Sequence, residues 1–221
     1  MRRTALLSLI ALLLAAVPAG ATSLTATLGF TFSGTPPVGA PTVTIDDNGG
    51  TGSVLLTISA GTLTGTEFID DIYLNATNPA TLNIAFVSGQ TANSVTQATD
   101  SFKADGTGGF YDLLFDFPPP PGGPSNVFGA GETSNWLITR PGLTVNDFVL
   151  RSLCTQGCVG AGYFGAAHIQ AIPLTQGGDS GWVAVSGNFT PTQQGFNPVP
   201  EPGTLVLLGT GLVAALRKVR R

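Results

Sequence analysis

The stretch Leu24-Thr-Ala-Thr-Leu-Gly-Phe-Thr-Phe32 alternates apolar and small polar residues over nine positions. Such alternation is typical of a β-strand with one buried face, because successive side chains of a strand point to opposite sides. We therefore predict a half-buried strand over residues 24–32. Similar short apolar stretches recur along the chain, at residues 54–60, 82–86, 111–117, 136–138, 145–150, 163–172 and 182–189.

Turn-forming residues separate these stretches, for example at residues 47–50 and 176–179. No convincing helical period occurs within residues 22–189. Many short strands in one unit of this length predict an all-β fold, a single antiparallel β-sandwich or jelly-roll-like domain over residues 22–189. A unit of this size can bury a sizeable core.

The chain has few charged residues, and they are unevenly distributed. Charged residues make up 10% of the sequence, and residues 22–199 hold three basic and twelve acidic side chains. This composition excludes a basic nucleic-acid binder and a coiled coil. With two cysteines and one histidine, a thiol- or histidine-based metalloenzyme is excluded as well. The composition favours an acidic, exported domain.

The N-terminus has the order of a secretory signal. Arg2 and Arg3 precede an apolar stretch at residues 5–17, and the small residues Ala19 and Ala21 follow. This order of basic, apolar and small residues is recognised by signal peptidase. We predict a signal peptide with a helical apolar part over residues 1–21, cleaved after Ala21.

The C-terminus combines three short elements. Pro200-Glu201-Pro202 is followed by an apolar stretch at residues 203–216 and a basic tail, formed by Arg217, Lys218, Arg220 and Arg221. As a helix, the apolar stretch would reach about 21 Å, short of the roughly 30 Å hydrocarbon core. We expect an extended linker at 190–198 and, at 199–221, a short apolar helix that enters the inner membrane transiently with its basic tail on the cytoplasmic side.

These three elements, in this order at the chain end, resemble the PEP-CTERM sorting signal over residues 198–221. The resemblance implies export by a Gram-negative bacterium that makes exopolysaccharide. It also implies processing near Pro200, Glu201 and Pro202 by an exosortase, followed by delivery to the cell surface or extracellular matrix. The body is similar to an uncharacterised group of such proteins, at residues 102–106, 111–117, 167–170 and 180–182. That similarity implies a shared architecture and no activity.

The acidic residues are candidates for catalysis or calcium binding. Asp112 and Asp116 lie about 13 Å apart on a regular strand, too far for the 5–9.5 Å pair of a glycosidase. Adjacent Asp70 and Asp71 should point to opposite faces. Oxygen ligands for calcium are available in turns and at strand ends, although none has the spacing of a calcium loop. The weak calcium candidates are Asp46, Asp47, Asn48, Asp70 and Asp71, with Asp105 in addition, and no other cofactor is expected.

The remaining candidates are favoured as structural residues. The sequence contains no nucleophile elbow whose serine His168 could activate. We therefore expect His168 to hydrogen-bond to a neighbouring loop. Cys154 and Cys158 are predicted to form a local disulfide in an oxidising compartment, with free thiols and a metal site left open. Five aromatic residues could stack on sugar rings, but their apolar positions favour core packing: Tyr73, Tyr111, Trp136, Tyr163 and Trp182.

Three functions follow from these observations. We favour a non-enzymatic exported protein of the surface or matrix, whose partners are signal peptidase, exosortase and exopolysaccharide, with no nucleic acid. A carbohydrate-binding module, assisted by calcium, is the first alternative. A secreted hydrolase with dispersed carboxylates is the second.

Overall fold

The structure is a computed structural model, and it describes residues 22–47, 50–106, 108–119, 127–155, 162–185 and 190–193. Within these ranges the chain forms two antiparallel sheets that pack face to face, which confirms the predicted all-β sandwich. Short 3₁₀ turns at Pro79–Thr81, Val145–Phe148 and Leu174–Gln176 connect strands. No helix among the described residues has the length and apolar composition needed to cross a bilayer.

Sheet A places the N-terminal and C-terminal strands of the domain side by side. Its strands are β1 (Thr22–Thr27), β3 (Thr42–Asp46), β4 (Ser53–Ser59), β6 (Asn83–Gly89), β10 (Thr133–Thr139) and β13 (Thr190–Gln193). They lie in the order β13-β1-β3-β4-β10-β6. Strands from distant parts of the sequence are therefore neighbours, as in sandwiches with long crossovers between sheets.

Sheet B is built from the strands that lie between those of sheet A in the sequence. They are β2 (Phe30–Gly34), β5 (Phe68–Leu74), β7 (Ser94–Lys103), β8 (Phe110–Asp116), β9 (Phe128–Gly129), β11 (Gly165–Ile172) and β12 (Asp179–Ala184). The order is β2-β12-β11-β5-β8-β7, and β9 pairs with β5.

The core lies between the two sheets and follows the predicted alternation. In β4 the side chains of Val54, Leu56 and Ile58 are buried, whereas Leu55 between them is exposed. Phe115 and Phe117 complete the core from sheet B. Each such side chain contributes about 1.5–3 kcal/mol through burial, which makes this layer the main source of stability.

The prediction of one strand over residues 24–32 is wrong, because the chain changes sheets in the middle of it. Leu24, Ala26 and Leu28 fill the core, and the backbone N–H of Leu28 bonds to Pro41. The chain then enters β2 in sheet B, where Phe32 packs on the outer face. Alternation with period two continues across such a crossover, so the pattern alone cannot reveal it.

The stretch at residues 145–150 was also expected to be extended, but it begins with a 3₁₀ turn. The Asp147 carboxylate accepts hydrogen bonds from the N–H and hydroxyl of Thr144, at 2.8 and 3.2 Å. The backbone N–H of Asp147 bonds in turn to the carbonyl of Thr144 at 3.2 Å. The pair forms a capping box, which favours the start of a helical turn over a strand.

The predicted linker begins later than expected. Its first residues form β13, which pairs with β1 so that Gln193 lies opposite Thr22. The sandwich therefore extends at least to Gln193 rather than ending at residue 189. The predicted signal peptide with Ala19 and Ala21, the remainder of the linker and the C-terminal apolar helix with its basic tail lie outside the described residues.

Candidate functional site

A row of polar and aromatic side chains crosses the outer face of sheet B. On four neighbouring strands, Trp182, His168, Asp71 and Asp116 lie opposite one another in register. We call these four residues the charged row. Three of the four are ionisable, which is unusual for one line across a sheet.

A β-bulge places Asp70 beside this row. The pairing of β5 with β11 runs from Asp71 opposite His168 directly to Ile69 opposite Ile169, so Asp70 is the extra residue of β5. Two residues of the bulged strand thus oppose one residue of its partner, and the strict alternation of faces is lost there. The expectation that Asp70 and Asp71 point to opposite faces is therefore wrong. Candidate ligand atoms of both aspartates and of His168 lie within 4.8 Å of one another.

The side chains at the bulge are held by several contacts. The Oδ2 atom of Asp70 lies 3.0 Å from Nδ1 of His168 and accepts a hydrogen bond from the amide of Gln170. The Oδ2 atom of Asp71 lies 4.0 Å from the same Nδ1. His168 is thus bonded to a neighbouring strand, where a loop was expected. The contacts fix the positions of three potential ligands.

Aromatic rings shield the histidine. The ring of Trp182 stacks on that of His168 with a centroid distance of 4.4 Å and an interplanar angle of 11°. Tyr73 of β5, two strands away from Trp182, packs against the indole with 5.6 Å between centroids. The side chains of His168, Asp70 and Asp71 are only 15%, 19% and 18% exposed. The row is therefore close to the surface but largely removed from water.

This environment changes the ionisation of the site. Burial raises the pKa of Asp71 from its ordinary 3.8 to about 6, and the negative charges of Asp70 and Asp116 add to the rise. The charge of His168 opposes this shift, as does the hydrogen bond from the Tyr73 hydroxyl. Burial and the charge of Asp71 raise the pKa of Tyr73 far above its ordinary value, so its hydroxyl remains a donor.

A cleft of about 570 Å³ lies beside the row, at the ends of β5, β11 and β12. Gln170 connects the cleft with the bulge, because it lines the cleft and its amide donates a hydrogen bond to Asp70. The cleft walls are otherwise mixed, with Phe68, Ile172 and Leu174 next to Ser180.

The C-terminal sequence provides the evidence on sorting. Residues 198–221 match the family model of the PEP-CTERM protein-sorting motif. The chain carries a PEP-CTERM sorting motif. A protein with this motif is exported and processed by exosortase, which confirms the sequence-based assignment. The motif itself, including Pro200, Glu201 and Pro202, lies outside the described residues.

No curated protein and no solved structure gives a significant match to this PEP-CTERM chain. The similarity of its body to an uncharacterised group therefore stays a prediction. The motif establishes the sorting of the chain, and the activity of the sandwich has to be argued from its own residues.

The other calcium candidates of this PEP-CTERM chain do not join the charged row. Asp46 ends β3 in sheet A, and Asp47 accepts a hydrogen bond from the backbone N–H of Thr22 at 2.7 Å. Asn48 lies outside the described residues. Asp105 accepts a hydrogen bond from the Ser33 hydroxyl. Asp46 and the following Asp47 thus lie at the end of a strand of sheet A, whereas Asp70 and Asp71 both lie in β5 of sheet B.

Asp112 has a structural position in the fold. It is buried, and its two oxygens accept the backbone N–H groups of Ala76 and Asp100, at 3.0 and 2.8 Å. Asp116 instead faces Asp71 across β5 and β8. The glycosidase pair that was considered for Asp112 and Asp116 is thus replaced by a carboxylate group assembled from different strands.

Most of the aromatic side chains pack inside the fold, as expected. Tyr73, Tyr111, Trp136 and Tyr163 are at most 6% exposed. Trp182 is half-buried in the stack with His168. Cys158 lies outside the described residues, so its disulfide with Cys154 stays a prediction.

The convergence of Asp70, Asp71, Asp116 and His168 is not predictable from the sequence alone. The bulge that brings them together has no signature in the sequence of β5. The available signal was the Asp70-Asp71 doublet inside an apolar strand, since two acidic residues in such a stretch need a reason to be there.

Proposed function

We propose that this chain is a non-enzymatic component of the cell surface or extracellular matrix, and that its sandwich is the part that remains after sorting. The sorting motif at residues 198–221 carries this proposal, because it directs the chain to exosortase. The domain to be delivered is the packed two-sheet sandwich that precedes it.

The distance between the sandwich and the motif supports a surface role. β13 ends at Gln193, and the motif begins at residue 198. The seven steps from Gln193 to Pro200 span at most about 25 Å when fully extended. The sandwich would therefore lie close to the membrane while exosortase acts on the chain.

The charged row supports a non-enzymatic role over a hydrolase. A hydrolytic carboxyl group must reach the bond that it protonates or attacks. Asp70 and Asp71 are each less than one-fifth exposed, and His168 is stacked against Trp182. Carbohydrate binding has equally little support, because most of the candidate rings are buried.

Intact mass and localisation of the protein, with and without exosortase, test the sorting part of the proposal. We expect a mature protein that begins at Thr22 and lacks residues 203–221, found at the surface or in the matrix. Without exosortase, or with Pro200, Glu201 and Pro202 replaced by Ala, the tail should remain. Gln194→Ala, in the linker before the motif, is the control and should be processed normally. A mature wild-type protein that retains peptide 203–221 would contradict the proposal.

Two further measurements test the alternative functions, carbohydrate binding and hydrolysis. Specific binding on a glycan array would favour a carbohydrate-binding module. Turnover of a glycoside or ester that is lost on Asp71→Asn would favour a hydrolase. Neither signal is expected from a structural matrix protein.

A further inference from the structure

We propose that Asp70, Asp71 and His168 bind one divalent transition-metal ion on the outer face of sheet B. Each residue would supply one ligand atom, the imidazole Nδ1 and one oxygen from each carboxylate. Water would complete the coordination, and Asp116 would neutralise part of the charge from the neighbouring strand. The site is independent of the sorting function.

The separations of the ligand atoms fit one shared ion. The Nδ1 atom of His168 lies 3.0 Å from Oδ2 of Asp70 and 4.0 Å from Oδ2 of Asp71. Neighbouring ligands of an ion with bonds of about 2.1 Å are roughly 3.0–3.4 Å apart in octahedral or tetrahedral geometry. All three ligand atoms lie within 4.8 Å of one another, so side-chain adjustments of at most about 1.5 Å would bring them into this range.

The charge across the strands calls for a cation independently of those distances. Asp71 and Asp116 lie directly opposite each other on β5 and β8, and like charges in this position destabilise a sheet. Asp70 adds a third carboxylate beside them. A bound cation would offset this repulsion.

The surroundings resemble the supporting shell of a metal site. Gln170 donates to Asp70 and orients its carboxylate, while the Tyr73 hydroxyl donates to Asp71 at 3.3 Å. The stack on Trp182 fixes the plane of the His168 ring. Such outer contacts hold ligands in place and are a general feature of metal centres.

The ligand set selects the class of ion. Calcium and magnesium prefer oxygen ligands, whereas imidazole suits zinc and its first-row neighbours. One imidazole with two carboxylates therefore favours Zn²⁺ or Mn²⁺ over Ca²⁺. This differs from the calcium site considered from the sequence, because His168 becomes a ligand.

Calorimetry on the purified exported protein tests the proposal, after treatment with a chelator and titration with Zn²⁺, Mn²⁺ or Ca²⁺. We expect one Zn²⁺ or Mn²⁺ per chain and a Tm higher by about 5–10 °C at a free concentration one hundred times Kd. Asp71→Asn, which keeps the side-chain volume, and His168→Ala should each weaken binding by tenfold or more. Asp105→Asn, on a carboxylate outside the row, is the matched control.

Cys154→Ser separates this site from a thiolate site and should leave binding unchanged. The proposal is overturned if none of the ions binds, since the residues would then form only a hydrogen-bonded group. It is overturned equally if Ca²⁺ binds and the transition metals do not. Binding that survives Asp71→Asn with unchanged affinity would place the ion elsewhere. If His168→Ala fails to fold, the Asp71→Asn result decides.

Discussion

The outer faces of the two sheets carry different rows of side chains. On sheet A, Thr25, Thr44, Thr57, Asn135 and Ser88 lie opposite one another across five strands. Hydrogen bonds join Thr25 to Thr44 at 3.0 Å and Thr57 to Asn135 at 2.8 Å. We call this line the threonine row. It is neutral, whereas the charged row on sheet B contains two aspartates and a histidine.

The difference follows from what covers each face. On sheet B, a second hydrophobic cluster packs outside the main core, with Tyr73, Tyr111, Ala104 and Ala166 buried in it. The face of sheet A is open enough that Leu55 and Leu137 are 39% and 40% exposed. A sheet face has to be covered before it can hold ionisable groups away from water. The raised pKa values of Asp71 and Tyr73 are accordingly found on the covered face of sheet B.

The largest expected effect tests whether the cover of sheet B is a true core. Tyr111→Ala should lower the free energy of unfolding by about 3–5 kcal/mol, because it leaves a cavity in the outer cluster. Leu137→Ala, the matched change on the open face, should cost less than about 1 kcal/mol. Urea unfolding of both variants measures this. Similar losses for the two would remove the distinction between the faces.

The next effect compares polar contacts on the two sides. Asp112→Ala should cost about 2–3 kcal/mol, because it leaves the N–H groups of Ala76 and Asp100 without their acceptor. Asn135→Ala breaks the bond with Thr57 in the threonine row, where water can replace it, and should cost less than about 1 kcal/mol. Thermal unfolding gives the values. A larger loss of stability for Asn135→Ala than for Asp112→Ala would contradict this prediction.

A smaller effect concerns pH and the metal-free protein. Since the pKa of Asp71 is raised to about 6 in the fold, the folded state binds its proton more tightly than the unfolded state does. Asp71 therefore makes the free energy of unfolding fall as pH rises from about 4 to about 6, with no further change above. Asp71→Asn should remove that fall and be relatively more stable at pH 7.

Chelator-treated wild type and variant, unfolded with urea between pH 4 and pH 7, provide the measurement. Asp46→Asn, at the C-terminal end of β3 in sheet A, is the control and should keep the wild-type fall. A difference between Asp71→Asn and wild type that does not vary with pH would contradict the prediction.

The smallest effect concerns the first residue of β1. The N–H of Thr22 donates to Asp47 at 2.7 Å, and cleavage after Ala21 would turn this amide into an ammonium group. Asp47→Asn should then cost about 0.5–1 kcal/mol in protein that begins at Thr22. The cost should be smaller in protein that still begins at Ala21. Equal costs in the two forms would mean that the ammonium charge of Thr22 does not strengthen its interaction with Asp47.

Much of the fold was predictable because burial repeats with period two. The alternation of Val54, Leu56 and Ile58 predicts β4 correctly, and residues 111–117 predict β8. Period two does not record which sheet a strand joins, so residues 24–32 were assigned to one strand instead of two. The largely exposed strand β7 and the short strand β13, Thr-Pro-Thr-Gln in sequence, gave no apolar signal at all.

The candidate site was far less predictable. Asp70 and Asp71 were identified as acidic candidates, and His168 was singled out as the one histidine of the sequence. Their proximity depends on a bulge and on the pairing of β5 with β11, which are separated by about a hundred residues. Local patterns carry no information on such long-range register.

The pairing of Gln193 with Thr22 has a mechanical consequence. The first and last described residues are neighbours in one ladder, so a pull that separates the two ends acts on β1 and β13 alone. The ladder would open one hydrogen bond at a time from that end, and no force would cross the core. A tether at either end can therefore be stretched or cut while the sandwich keeps its two-sheet packing.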